Sequence, residues 1–437
     1  MIEKNNQTET EEIADNIEAF LEKTIIDLEP IDAEYKGPGR PKILPSMCLW
    51  AGVLVCVLRG FTSQLAVWRL LSFQQLWSYP RFEVTDQAVY NRLARDGTEA
   101  LERLFAQISA VLRERLAPYD QKALAPFAAG IVAIDETTLD PVARLLPALR
   151  EVPSGDKQLL PGKLAGVFDI RLQQWKQVLH IPNPDQNEKV VARELLSTLE
   201  QGTLVLADMG YFGFKWFDDL TNGGYWWISR LRARTSYQEI HTHYQKGDTF
   251  DGIVWLGAYR ADRAAHAVRL VTFRRGKQLH RYITNILDYE MVSMEEIAAL
   301  YARRWDFELA VKTVKRYLNL HLLWSGKTSV ILQQVWAVLI IAQILQAIQM
   351  EIAGKASVDP YDVSLALLVE YVPRLGQDGK DPVKLIVEHG RKAGFIRPSS
   401  RIRIRTPDID PKDLIALSDD VILVRKPRYA QRKCHRR

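Results

Sequence analysis

Ile131-Val132-Ala133-Ile134-Asp135 and Leu204-Val205-Leu206-Ala207-Asp208 are two apolar runs, each closed by an aspartate. Four consecutive apolar residues between polar or glycine signals read as a buried strand. Between the two runs, residues 164–168 and 177–181 read as further strands and residues 190–199 as a helix. Three strands, a helix and another strand are the opening of a mixed α/β sheet. Acids at neighbouring strand ends of such a sheet converge on one edge. Strand-end acids are more often structural, so Asp135 and Asp208 by themselves are weak evidence for a metal site.

Toward the C-terminus the pattern becomes β-rich. Residues 225–228 and 253–256 look like strands, and residues 268–273 and 280–286 alternate on either side of Arg275-Gly276-Lys277, a hairpin signal. Residues 295–317 then read as one long helix. With Tyr301 as origin and about 100° per residue, Arg304, Glu308, Lys312 and Lys315 share with it an arc of roughly 80°. Phe307, Val311, Val314 and Leu318 fall on the neighbouring arc, the stripe that packs into a core. A solvated face with i,i+4 Arg–Glu–Lys support is the bland explanation. Such a face requires neither Tyr301 nor two preceding strand-end aspartates. A lone carboxylate among cations suits a metal ligand flanked by phosphate clamps. Residues 330–348 are long and apolar enough for a membrane span, but Gln333, Gln334, Gln343 and Gln346 interrupt them, which favours a buried helix.

Tyr301, Arg304, Glu308 and Lys315, in that order and spacing, resemble the Tyr-Arg-Glu-Lys signature of transposases of the insertion sequence 4 family, which belong to the DDE superfamily. Ile283-Thr284-Asn285-Ile286, Met294-Glu295-Glu296-Ile297-Ala298 and Arg303-Arg304-Trp305 are also similar to that family. Asp135-Glu136-Thr137-Thr138 resembles its first-aspartate motif and Asp208-Met209-Gly210-Tyr211-Phe212 its second. The similarity spans roughly residues 125–350. Two departures stand out. Glu136 adds a charge beside the first aspartate, where a small residue is usual, and Met209 stands where many relatives have arginine.

The resemblance implies an α/β fold: a ribonuclease-H-like mixed sheet with a β-rich insertion, preceded by an all-helical N-terminal domain. The corresponding organisation is an acidic lead-in (1–36), a helical DNA-binding domain (37–125), the first part of the catalytic core (126–223), the insertion (224–288), the second part of the core (289–352), and a C-terminal helical region with a basic tail (353–437). It implies Asp135, Asp208 and Glu308 as the catalytic acids and ligands of two divalent ions, magnesium with manganese as the alternative. Tyr301, Arg304 and Lys315 are then the residues that grip the DNA backbone, with Lys312 on the same face. In the insertion, Trp226, Trp227 and Trp255 are candidates for stacking on an unpaired base, although burial is the commoner fate of tryptophan. The implied reaction cuts double-stranded DNA at the terminal inverted repeats of the element and joins the freed 3′-hydroxyl to target DNA. The implied assembly is a homodimer holding two ends, in the bacterial cytoplasm at the nucleoid, with no membrane. A catalytically silent DNA-binding protein and a magnesium-dependent nuclease are the alternatives.

Composition agrees with a globular chain of two to three domains: 437 residues, 47% hydrophobic and 25% charged. Three cysteines exclude a disulfide scaffold, and the polar, acidic start shows no secretory signal. Residues 1–34 hold eleven acids against two bases, and residues 425–437 hold seven Lys or Arg and no acid. A basic body with a basic tail favours a polyanionic partner, although such a tail also serves solubility. Gly37-Pro38-Gly39-Arg40-Pro41-Lys42 resembles an AT-hook, with Arg40 as the minor-groove residue; a short linker is the commoner explanation. Residues 45–116 look all-helical. Within them Thr85 is a good N-cap for a recognition helix, from which Gln87, Asn91 and Arg95 would reach DNA; a small bundle with a polar outer face is the plainer alternative.

Overall fold

The computed structural model describes residues 17–27, 43–139, 162–183, 186–258, 262–399 and 404–429. Arg40, with the rest of residues 37–42, lies outside the described residues, as do residues 430–437 of the tail. The first elements are helices: α1 (Ile17–Ile26), α2 (Ser46–Leu58), α3 (Gln64–Phe73), α4 (Asp86–Arg95) and α5 (Glu99–Leu116). Helix α1 buries Ile17, Leu21 and Ile25, whose i, i+4, i+8 spacing puts them on one face. Its Glu18 takes both the Nε and Nη2 bonds of Arg59, each 3.0 Å, which pins α1 to the end of α2. Thr85 caps α4 by accepting the Ala88 N–H.

Mixed α/β structure follows. The elements are β1 (Ile131–Thr138), β2 (Lys163–Asp169), β3 (Gln174–Ile181), α6 (Glu188–Leu196), β4 (Leu204–Ala207), α7 (Phe214–Asn222), β5 (Trp226–Arg230), β6 (Tyr237–Lys246), β7 (Thr249–Leu256), β8 (Val268–Arg275) and β9 (Gln278–Thr284). All described strands form one nine-stranded sheet in the order β3-β2-β1-β4-β5-β9-β8-β7-β6. The β1–β4 and β4–β5 pairs are parallel and the rest are antiparallel. The β-rich segment is therefore a continuation of the same sheet, joined through β5 and β9. Alternation along β1 and β4 divides the core. Ile131, Ala133, Leu204 and Leu206 face one layer of helices, while Val132, Ile134, Val205 and Ala207 face α6 and α7.

The expected single helix over 295–317 is broken. Helix α8 (Met294–Ala302) and helix α9 (Trp305–Lys312) are separated at Arg303 and Arg304, and α9 runs into a wider π-type turn at Thr313–Tyr317. The break lets the two neighbouring arginines serve different partners. Arg303 bonds the buried Asp306 at 2.7 Å, and Arg304 reaches across to β1. Helix α10 (Thr328–Ala356) is the long apolar segment, and it lies inside the protein, packed against α2, α4, α5, α11 (Leu365–Gln377) and α12 (Pro382–His389).

The chain then returns along the β-rich end of the sheet as a strap. Ile415 N–H bonds His243 O, Ala267 N–H bonds Leu423 O, and bridges join His266 to Val424 and Arg263 to Arg428. The strap covers part of the β-rich segment. His241 and His243 both bond the Ile415 carbonyl, and His243 is buried. Trp255 is buried beneath the Arg425 guanidinium, 4.4 Å from the ring centre, and Trp227 is buried and stacked on Phe217. Trp226 packs against Phe127. Core packing thus takes Trp227 and Trp255 out of contention as stacking surfaces.

Candidate active site

The site begins with a register. In the parallel β1–β4 pair Ile134 stands opposite Ala207, so Asp135 and Asp208 are the next residue on each of two adjacent strands. Neighbouring strands run about 4.8 Å apart, which makes the two acids neighbours by construction. Asp135 Oδ1 accepts the Glu136 N–H at 2.8 Å. Asp208 caps a short turn, Met209–Tyr211, with Oδ1 accepting the Gly210 N–H at 2.6 Å.

Glu308 arrives from the helical layer. A capping box sets the start of α8: Ser293 Oγ accepts the Glu296 N–H, and Glu296 Oε2 accepts the Ser293 N–H. Phe307 then anchors α9 on the sheet, its ring 5.1 Å from that of Trp175. The strand residue opposite Asp135 is Gly166; a Cβ there would stand 2.7 Å from the Trp175 ring and 3.2 Å from the Phe307 ring. Glycine at this point allows the close helix–sheet approach. With α9 seated, Arg304 donates from Nη1 to Asp135 Oδ2 at 3.2 Å and from Nη2 to Glu308 Oε1 at 2.8 Å. One guanidinium thus spans two carboxylates from distant parts of the chain.

Electrostatics bind the acids into one set. Burial pushes the Asp135 carboxyl up to about 6; the Glu136 N–H opposes the rise, Asp208 adds to it, Arg304 opposes it and Glu308 adds to it. Burial likewise pushes the Tyr301 phenol up to about 12, and Tyr301 packs on Tyr282. Lys315 Nζ is tied to the end of β1, donating to Thr137 Oγ1 at 2.7 Å and Thr138 O at 2.6 Å, and burial lowers its pKa. Lys312 lies over the Tyr317 ring. Asp135, Glu308, Lys312 and Lys315 line one cleft of about 510 Å³ together with Trp305 and Arg316. A larger cavity of about 900 Å³, which shares Trp305, Leu309 and Lys312 with this cleft, contains none of the three acids.

Three acids that offer oxygen donors, two of them raising the pKa of Asp135, suit a hard divalent cation. Among the described residues, no three His, Cys, Asp or Glu side chains stand in position to hold one metal ion together. Asp135 and Glu308 instead share the Arg304 guanidinium, and Asp208 is turned onto its own backbone. The donor chemistry fits a metal, while the side-chain positions are those of an arginine-bridged state.

Other expected residues fall elsewhere. Gln87 and Asn91 share an exposed face of α4, where Gln87 Nε2 bonds Asn91 Oδ1 at 2.9 Å, and no described hydrogen bond links them to the acids. Glu136 does not load the acidic set with unbalanced charge, because it pairs with the buried Lys163 of β2 at 2.5 Å. Two neighbours of Asp208 escaped the sequence pattern. Glu188, at the start of α6, shares with Asp208 the space that a Gly210 side chain would fill, each oxygen 2.8 Å from that point. Arg232 donates to Met209 O at 2.7 Å, bringing an arginine beside the position where Met209 had removed one. Neither Glu188 nor Arg232 carries a periodic or motif signal, since each reaches the site only through packing.

Residues 163–344 match a family model described as a transposase DDE domain. The chain is 25% identical over 244 residues to the transposase for insertion sequence element IS231F of Bacillus thuringiensis subsp. israelensis, an overlap of 43% of this chain and 50% of that protein. It is 28% identical over 167 residues to transposase InsG for insertion sequence element IS4 of Escherichia coli (strain K12), an overlap of 35% of this chain and 36% of that protein. The chain thus spans half or less of the length of these curated relatives. A solved piggyBac transposase synaptic complex with hairpin DNA overlaps at a TM-score of 0.39 and 9% identity, covering 88% of this chain and 82% of that one; at that overlap it carries no argument. The sheet and its strand-end acids accompany a match to the transposase DDE domain that takes in Asp208 and Glu308. The chain is similar, at modest identity, to DDE transposases of the insertion sequence 4 family.

Proposed function

We propose that this protein is a DNA transposase that cuts insertion-sequence ends and joins the freed 3′-hydroxyl to target DNA. One carboxylate site serves both steps, because each is phosphoryl transfer at a phosphodiester. The observation that carries this reading is the single guanidinium bridging Asp135 and Glu308 beside the strand end that bears Asp208. The transposase names of its relatives support it.

In this reading residues 126–223 and 289–352 form a ribonuclease-H-like catalytic core, residues 224–288 its insertion, and residues 37–125 a helical DNA-binding domain. Asp135, Asp208 and Glu308 are the residues that would hold two divalent ions, magnesium or manganese, which supply activation of the attacking oxygen and stabilisation of the leaving one. The chain's own groups do the rest. Arg304, Lys312 and Lys315 bring positive charge to the cleft and bind the phosphate backbone. Tyr301, held in place by Tyr282, fixes the helix end from which Arg304 projects. Gln87 and Asn91 contact DNA away from the acids, and Arg40 is a further DNA contact. Two ends held together call for a homodimer, and the setting is the bacterial cytoplasm at the nucleoid.

The test incubates the protein with magnesium, DNA carrying the inverted repeats that flank its gene, and supercoiled plasmid. Joined products are expected. Nicking alone would mean a nuclease, and gel retardation without cutting would mean a silent binder. Glu308→Gln is expected to lose at least about a hundredfold in cleavage while retaining DNA binding; undiminished cleavage would remove Glu308 from the triad.

A further inference from the structure

Arg304 stands at the joint between α8 and α9, bonded to one acid within its own helix and to another on β1. Its side chain is 14% exposed, against 22% for Asp135 and 37% for Glu308. The neighbouring cations are committed differently: Lys315 to Thr137 and Thr138, Arg303 to Asp306, Lys163 to Glu136. Among the described residues, Arg304 is therefore the cation hydrogen-bonded to two of the three acids, Asp135 and Glu308. A guanidinium suits this place, because its five donors are held in a fixed planar fork that reaches two carboxylates at once, whereas a compact ammonium has fewer donors and no fixed fork.

We propose that Arg304 is a positioning residue that stands in for the divalent cation: it clamps Asp135 to Glu308 in the metal-free protein and competes with metal for the same carboxylate oxygens. This rests on the reading of those acids as metal ligands. A protein whose acids are held by an internal cation binds metal with an affinity reduced by the fraction already occupied. Metal entry then frees the guanidinium, and a freed guanidinium at the rim of the cleft is a bidentate phosphate donor. Metal loading and the grip on DNA become linked through one side chain that passes from carboxylate to phosphate.

The experiment measures Mn2+ binding to the full-length protein without DNA, by calorimetry, for wild type, Arg304→Gln, Arg304→Lys and Glu308→Gln. The expected result is that Arg304→Gln binds Mn2+ about tenfold more tightly than wild type, as follows for a competitor that occupies about nine-tenths of the sites. Arg304→Lys is expected to fall between them, and Glu308→Gln to bind more weakly than wild type. Without metal, Arg304→Gln is expected to melt below wild type, and saturating Mn2+ to close that gap. Mn2+ binding that Glu308→Gln weakens but a folded Arg304→Gln leaves unimproved would overturn the clamp and spare the metal site. Binding by none of the proteins would overturn both. A measurement on wild type guards against a variant that fails to fold. Modification of Arg304 by phenylglyoxal, followed by peptide mass spectrometry, is expected to rise on Mn2+ addition; unchanged reactivity at saturating Mn2+ would overturn the proposal.

Discussion

Gly166 faces Asp135 across the β1–β2 pair, and a side chain there has no room to go, because the rings of Trp175 and Phe307 close over it. The seat of α9, and with it the meeting of Glu308 and Asp135, depends on that missing methyl group. Gly166→Ala is expected to cost about 1–3 kcal/mol, the range for overpacking a filled core, read as a lower urea midpoint with an unchanged slope. A variant as stable as wild type would show that the rings have slack. One strand position away, Glu136 and Lys163 are both almost wholly buried and paired. Lys163→Met strips the carboxylate of its partner and is expected to destabilise by about 3–5 kcal/mol, the usual cost of an uncompensated buried charge, in the same denaturation experiment. Asp135 and Glu136 adjoin in sequence yet have separate fates, since one bonds Arg304 and the other Lys163.

At the scale of elements, α10 is held by its glutamines. Gln343 accepts the Trp175 N–H at 2.8 Å and donates to Trp175 O and Ser109 Oγ, which ties α10 to β3 and α5. Gln333 caps the end of α4 through Leu93 O and Asp96 O, and Gln349 bonds Pro360 O and Val363 O. Gln333 and Gln343, two of the residues that argued against a membrane span, are polar joints of a buried helix. The C-terminal strap depends on a different polar contact. His243 is buried against it, bonded through Nδ1 to Ile415 O at 2.7 Å, with His241, Asp251 and Arg269 as its charged or titratable neighbours. Burial holds its pKa below the ordinary histidine value, while the Ile415 bond and Asp251 oppose that shift. The folded state therefore keeps the ring neutral where the unfolded chain takes up a proton. Stability contributed by this site is present above about pH 6.5 and is lost as the pH falls below it. Thermal melts between about pH 7.5 and about pH 5.5 are expected to fall less steeply for His243→Gln than for wild type; equal slopes would assign the acid sensitivity to other groups.

Across the whole molecule, one buried ion pair joins the N-terminal helices to the central one. Arg115 of α5 and Glu351 of α10 meet at 2.5 Å with both side chains 6% exposed. Glu351→Leu is expected to cost about 3–5 kcal/mol by chemical denaturation, and Arg115→Met with Glu351→Leu to recover most of it, since a hydrophobic replacement of a buried pair is often neutral. Failure of the double variant to recover would mean that the pair also orders the helices around it. The nine-stranded sheet has a similar integrating part. Strand β5 pairs in parallel with β4 and antiparallel with β9, so the acid-bearing strands and the β-rich end are parts of one continuous sheet.

Local pattern alone was enough for the strands that end at Asp135 and Asp208, the Gly276–Lys277 hairpin, the Thr85 cap and the buried helix through Gln343. Each of these is written in a period of two or 3.6 residues or in the chemistry of a turn, interactions that close within a few residues. Those same periods could not show that the helix around Glu308 breaks at Arg303 and Arg304, nor that a C-terminal strap covers His243 and Trp255. They also missed Glu188 and Arg232 beside Asp208. All of these depend on which surfaces meet after the chain has doubled back, and residues far apart in sequence leave no periodic trace of the contacts they make. The acids could be picked out from the order of their residues, whereas the arginine bridge between them exists only once α9 has packed on Gly166.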